Sequence, residues 1–212
     1  VYMSQRKLAE AEPLLKRSLE IYEKALGPNH TDVAMSLLNL ADVYMNQGKL
    51  AEAEPLFTRS LEIREKALGP NHPDVALGLN NLAYLYMNQG KLAEAEPLLK
   101  RSLEAYEKAL GPNHSDVGLA VYNLGVLALK RGQRPGALTY MRRAIPLFAG
   151  TVYWAAVEKD PDIASLRSDP EFQKLVADAK AHAAEKAKAA ATASPAPAGS
   201  SSVAPPASAD RH

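Results

Sequence analysis

The phrase KLAEAEPL stands at Lys7–Leu14, again at Lys49–Leu56 and again at Lys91–Leu98, a constant step of 42 residues. A second phrase, EKALGPNH, keeps that step from Glu23, Glu65 and Glu107. Copies of one short unit stack so that each packs only on its neighbours, and the product is a solenoid. A solenoid offers a long repeated surface, which suits binding better than it suits one asymmetric catalytic pocket. The repeat therefore predicts the kind of device and leaves its partner unnamed.

Composition narrows the classes further. Of 212 residues, 47% are hydrophobic, enough for a core, and 25 Lys and Arg face 24 Asp and Glu for a net charge of +1. That balance lacks the basic footprint that phosphate backbones require, so nucleic acid is not expected as a partner. No stretch approaches the roughly 18 apolar residues of a membrane span. The absence of cysteine excludes disulfides and thiolate metal sites and leaves the compartment open, with the cytoplasm preferred. No signal peptide is read at Val1. Val1–Met3 align with Val43–Met45, so the chain is expected to begin inside a repeat, and a targeting segment could precede it.

Each unit reads as two helices. Val75, Leu79, Leu82, Ala83 and Tyr86 recur at three and four residues and mark one face of a helix over Asp74–Gln89. Gly48 and Gly90 break the first helix of their units. Lys49–Leu68 forms a second helix with Ala53, Phe57, Ser60 and Leu61 inward, and Gly69-Pro70 stops it. Pro73 suits a first helical position, and Thr31 and Ser115 in the same place read as N-caps. Pro13, Pro55 and Pro97 fall inside second helices, where they predict a bend. Glu20–Lys24, Glu62–Lys66 and Glu104–Lys108 read as surface i,i+4 pairs.

After Phe148 the period is lost. Asp160-Pro161 and Asp169-Pro170 read as two further helix starts. The chain therefore divides into an array over 1–148, with units of about 2–43, 44–85, 86–127 and 128–148. A helical cap over 149–190 and a disordered Ala/Pro/Ser tail over 191–212 complete it.

Leu37-x2-Leu40-Ala41-x2-Tyr44 with Ala53-x3-Phe57, and Leu79-x2-Leu82-Ala83-x2-Tyr86 with Ala95-x3-Leu99, resemble the tetratricopeptide repeat pattern W-x2-L-G-x2-Y…A-x3-F. Val121-x2-Leu124-Gly125-x2-Ala128 with Ala137-x3-Met141 fits it loosely. The 42-residue unit exceeds the common one of about 34. That length and the wording ALGPNHPDVA…LNNLAYLY…GKLAEAEPL resemble the kinesin light chain type. Asp160–Val176 is similar to the module that ends many bacterial arrays. The resemblance implies an all-α solenoid of antiparallel helix pairs wound as a right-handed superhelix, with first helices lining a concave groove.

On that implied wall, Asn39, Asp42 and Asn46 share one stripe, as do Asn81, Tyr84 and Asn88, and Asn123, Val126 and Lys130; Asn80, Met87, Met45, Leu38 and Tyr122 flank them. A carboxamide both donates and accepts, so a row of them matches an extended peptide backbone, while Met and Tyr add adaptable apolar contact. The groove expected to hold a peptide or partner segment is therefore Asn39, Asp42, Asn46, Asn80, Asn81, Tyr84, Met87, Asn88, Tyr122, Asn123 and Lys130. The structural alternative is that Asn39, Asn81 and Asn123 bond neighbouring helices and fix the stacking. With Lys130 as the one cation there, a strong preference for a carboxylate terminus is not expected.

Other candidates carry less. His30, His72 and His114 recur with Asp32, Asp74 and Asp116, but ligands must sit about 2 Å from an ion and stacked units lie on the order of 8–10 Å apart. No metal or cofactor is expected, and the motif reads as a turn and cap. Ser18, Ser60 and Ser102 occupy a small-residue packing place, and Arg17, Arg59 and Arg101 read as solvated cations beside local glutamates. No nucleophile, P-loop or zinc motif points to an enzyme. The Lys180–Lys188 run lacks the interleaved aromatics that single strands need. The reading is a non-catalytic protein-binding scaffold. The alternative is a spacer within a larger protein, self-associating through the helix over Lys7–Leu26, which lacks a partner helix.

Overall fold

A computed structural model describes residues 5–151 and 153–192, and among them the chain is helical with no strand. In order come α1 (Gln5–Leu26), α2 (Thr31–Asn46), α3 (Leu50–Leu68), α4 (Pro73–Asn88), α5 (Leu92–Leu110), α6 (Ser115–Lys130) and α7 (Arg134–Leu147). A short α8 (Trp154–Lys159), a 3-10 turn (Pro161–Leu166) and α9 (Pro170–Thr192) follow. Helices α2/α3, α4/α5 and α6/α7 are the intimate pairs, while α3 on α4 and α5 on α6 join one pair to the next. The architecture is the stacked α-solenoid that the repeat predicts. The tail beyond Thr192 lies outside the described residues.

Two recurring turns set this path. Within a pair, Gly48, Gly90 and Gly132 hold φ of 76°, 76° and 73°, a left-handed geometry that costs glycine little. The next amide then reaches back: Lys49 N–H donates to Tyr44 O at 2.9 Å, and Lys91 N–H to Tyr86 O at 2.9 Å. This is a helix end closed on its own carbonyls. Between pairs the cap differs from the expectation. His30, His72 and His114 are the N-caps, each Nδ1 accepting from the N–H of Asp32, Asp74 and Asp116 at 3.2, 3.1 and 3.2 Å. Thr31 and Ser115 are the first helical residues, like Pro73. The imidazole nitrogen lies in reach of the second helical amide, so the hydroxyl one place on is not needed there.

The core repeats with the chain. Val33, Val75 and Val117 are fully buried, as are Leu37, Leu79 and Val121, and Ala53, Ala95 and Ala137. Facing them, Phe57, Leu99 and Met141 vary in shape at one position. Where Met141 stands, the opposing residue is Gly125, and a Cβ there would sit 2.8 Å from Met141 Cε. Volume is therefore conserved across the contact rather than at each residue. Ser60 and Ser102 fill the small-residue place and bond inward, Oγ donating to Ala34 O at 2.6 Å and Ala76 O at 2.7 Å. Helices α3 and α5 run unbroken through Pro55 and Pro97. Those prolines are exposed, as are Ala51 and Ala93 four residues before, so the carbonyl each proline leaves unbonded has access to water.

Polar contacts fix the stagger between units. Glu12 accepts from Gln47 at 3.2 Å, Lys49 at 3.1 Å and Tyr44 at 3.4 Å. One unit on, Glu54 accepts from Gln89 at 3.0 Å, Lys91 at 3.0 Å and Tyr86 at 3.3 Å. Each glutamine amide also approaches a carbonyl of the preceding helix, Leu8 or Leu50. At the third joint Arg131 alone replaces glutamine and lysine, bonding Glu96 at 2.5 Å and Leu92 O at 2.8 Å. A second ladder pairs Arg59 with Glu23 at 2.7 Å, Arg101 with Glu65 and Arg143 with Glu107. Arg59 and Arg101 were expected beside local glutamates; they reach instead to the previous unit. Of the expected i,i+4 pairs, Glu104–Lys108 forms at 2.6 Å.

These contacts predict an acid limit. Lys16, Lys49 and Gln47 hold the Glu12 carboxyl down to about 2, Lys100 and Arg131 do the same for Glu96, and Gln89 and Lys91 lower Glu54. A depressed carboxylate stabilises the fold above its unfolded value of 4.5 and loses that contribution as pH falls through the folded value. The urea midpoint is expected to fall between pH 4.5 and about 2. A triple Glu12→Gln, Glu54→Gln, Glu96→Gln variant should show a flatter slope over the same window.

Candidate peptide-binding groove

The first helices α2, α4 and α6 stand side by side, and the stripe read from the sequence splits into two populations. Asn80 and Asn123 are 3% and 7% exposed, and Asn123 Nδ2 donates to Asn80 Oδ1 at 3.0 Å, tying α6 to α4. Tyr122 is buried, and its hydroxyl donates to Asp160 Oδ2 at 2.7 Å. Lys130 pairs with Asp162 at 2.8 Å. Met87 is 3% exposed and packs in the largest apolar cluster with Ala83, Leu99 and Leu127. These five residues were expected on the groove. Asn80, Asn123, Tyr122 and Met87 are buried in stacking or core because the neighbouring helix, and after it the closing segment, covers their side of the wall, whereas Lys130 stays exposed with its charge held by Asp162.

The other population stays at the surface. Asn39, Asn46 and Asn88 are exposed, and Asn81, Tyr84 and Asp42 half-buried. Asn46 Nδ2 donates to its own helix at Asp42 O, 2.7 Å away. The side-chain amides of Asn39, Asn81 and Asn88 hold no partner among the described residues. Asn39, Asp42 and Asn46 border a hollow of about 430 Å³ whose floor is Ala11, Leu15 and Val43 and whose edge is Leu14. Burial pushes the Asp42 carboxyl up to about 6. No cation lies within ion-pair distance of it among the described residues.

A second hollow, of about 240 Å³, opens where α4 and α6 meet the closing segment. Its walls are Asn80, Asn81, Tyr84, Leu119, Tyr122 and Asn123, with Phe148, Tyr153, Val157 and Asp160 from beyond the regular repeats. The sequence reading missed those last four, since periodicity fails after Phe148. The surviving signals were the prolines: Asp160 Oδ1 accepts from Asp162 N–H at 2.9 Å and so starts the 3-10 turn, as Asp169 starts α9. Tyr153 donates to Asp116 Oδ1 at 2.7 Å. Burial, helped by those carboxylates, raises the Tyr122 and Tyr153 hydroxyls above the ordinary tyrosine value, so both remain protonated donors. Phe148 stacks edge-on with Tyr122 at 5.8 Å and tilts against Tyr153 at 5.5 Å. Hollow and wall thus present amides, aromatic rings and carboxylates. The three histidines lie outside it, spent as helix caps.

Two family models described as tetratricopeptide repeat match the chain, one over residues 1–44 and 74–149 and the other over 33–74. The chain belongs to the tetratricopeptide repeat family. Its fold is similar to the crystal structure of BtubC (BKLC) from P. vanneervenii. The TM-score is 0.64 at 22% identity, covering 95% of this chain and 82% of that one. It is also similar to two crystal structures of a Podosopora anserina putative kinesin light chain with nearly identical TPR-like repeats. One of them, a single-substitution form, gives a TM-score of 0.64 at 25% identity, covering 87% of this chain and 91% of that one. The other gives 0.60 at 25%, covering 89% and 85%. No curated protein matches significantly. Tetratricopeptide repeats generally mediate protein–protein interaction, and no described helix is long and apolar enough to cross a membrane.

The split between tetratricopeptide wall residues is measurable. Asn123→Ala leaves the buried Asn80 carboxamide without its acceptor role filled and should cost about 1–3 kcal/mol. Asn81→Ala, which removes an amide with no described partner, should change urea stability by less than about 0.5 kcal/mol.

Proposed function

We propose that this chain is a non-catalytic scaffold that holds an extended peptide or a partner's unfolded segment along the wall formed by α2, α4 and α6. The observation that carries the reading is the set of uncommitted amides: Asn39, Asn81 and Asn88 keep donor and acceptor available while Asn80 and Asn123 are consumed within the fold. An amide side chain satisfies both groups of a peptide unit at once, and Tyr84 and Leu119 supply apolar contact between them. Ordering an extended segment offsets much of the contact energy, so a free peptide would bind at about micromolar affinity, near −8 kcal/mol. Residues 149–190 then act as a cap that seals the last pair and completes the wall.

The test is selection of random extended peptides on the whole chain, followed by titration of the binders. The Asn39→Ala, Asn81→Ala double variant should weaken them about 10-fold or more, a loss of about 1.4 kcal/mol, with its thermal melt unchanged. Binders indifferent to both substitutions would place recognition elsewhere.

A second reading, self-association, draws on α1. Ile21 and Tyr22 are 55% and 39% exposed, whereas Ile63 and Tyr106 at matching places are 4% and 2% exposed. Leu14 at 69% and Leu26 at 44% extend that face, and apolar surface of this kind favours a mate. Light scattering over a concentration series should show a rising mass that Ile21→Lys abolishes; a constant monomer mass removes this reading.

A further inference from the structure

The hollow between α4, α6 and the closing segment has a charge pattern that specifies more than peptide binding. Resting on the groove reading above, we propose that this hollow is the receptor for one basic side chain, lysine or arginine, of the bound segment. Three features point the same way. Its volume, about 240 Å³, falls below the roughly 300–1,000 Å³ of sites that enclose a small molecule, and suits a single side chain of a longer ligand. Its lining contains a carboxylate, Asp160, and no lysine, arginine or histidine. The rings of Tyr84 and Tyr153, both half-buried, line it together with Phe148, against which Tyr153 tilts at 5.5 Å.

The Asp160 carboxylate is held rather than neutralised. Oδ2 accepts from Tyr122 and Oδ1 from the Asp162 N–H, both uncharged donors. The nearest guanidinium to use this residue, Arg167, bonds its backbone carbonyl at 2.8 Å. Lys130, the cation on this side of α6, is paired with Asp162. A basic side chain entering the hollow would lay its methylenes along Leu119 and Val157 and bring its charge to a fixed carboxylate beside aromatic faces, an arrangement favourable to cations. An acidic side chain or a chain-terminal carboxylate would meet Asp160 with no compensating charge. Farther along the wall Asp42 repeats the sign, and it too lacks a described cation.

The experiment uses the peptides selected on the whole chain. A basic residue should recur at one position, and replacing it with norleucine (for lysine) or citrulline (for arginine) should weaken binding about 10-fold, or 1.4 kcal/mol. That gap should shrink below about twofold on Asp160→Asn. Because Asp160 also starts the 3-10 turn, Tyr84→Leu on α4 provides a second variant remote from that turn, and it should narrow the same gap. Peptides that depend on Asn81 but show no basic preference, or a gap that survives both variants, overturn the basic-residue assignment and leave the groove standing. Peptides indifferent to Asn81 as well, or a selection that recovers none, overturn both.

Discussion

The register of this array depends on a carboxylate in each second helix reaching the end of the following first helix. Burial of Phe57, Leu79 or Leu99 supplies the larger attraction, but apolar burial is non-directional and tolerates sliding. The Glu12, Glu54 and Glu96 contacts do not. Each is charge-assisted, and each is joined to a backbone carbonyl of the same helix. The third joint is informative because its residues differ. Arg131 performs from one side chain what Gln89 and Lys91 perform together, so the geometry is kept while the letters change.

That constraint explains which parts of the molecule were legible from sequence. Helix faces, the glycine turns and the buried serines follow from local spacing, and each was readable because a helix of period 3.6 has one inward side. What a neighbouring unit does to the remaining sides is not local. Asn80 and Asn81 are adjacent in sequence, yet one bonds Asn123 and the other holds no described partner. Arg59 looked free to meet a nearby glutamate, but stacking brings Glu23 closer. The turn and cap at the His-x-Asp motif were legible, but not that the imidazole is the capping group: serine and threonine are the familiar cap residues, and they sit one place too late here.

Arg64 is the plainest case of context overriding residue type. Its counterparts one unit either side are Tyr22 and Tyr106, and 42 residues beyond Tyr106 lies Phe148. Arg64 is 2% exposed, donates to Asp74 O at 2.9 Å and approaches Met35 Sδ at 3.7 Å. Burial lowers its affinity for the proton while nearby Asp74 opposes the shift. A charged residue is tolerated in an aromatic column because its long stem packs like the ring it replaces and a carbonyl at the next helix start receives its head. Sequence patterning would have placed it outside.

Near-identical repeats could present a wall with no direction, since a ligand shifted by one unit would meet the same residues. The variable positions prevent that. Where the framework keeps Asn39, Asn81 and Asn123, the place three residues later holds Asp42, Tyr84 and Val126 in turn, and the place one residue earlier holds Leu38, Asn80 and Tyr122. The wall therefore runs from the half-buried Asp42 carboxylate to an aromatic hollow closed by Asp160 of the closing segment. On the proposed groove reading, a slip by one unit would exchange a carboxylate for a tyrosine, so a bound segment would favour one register. On that reading the positions that vary between units, rather than the repeated ones, would set which segment is preferred.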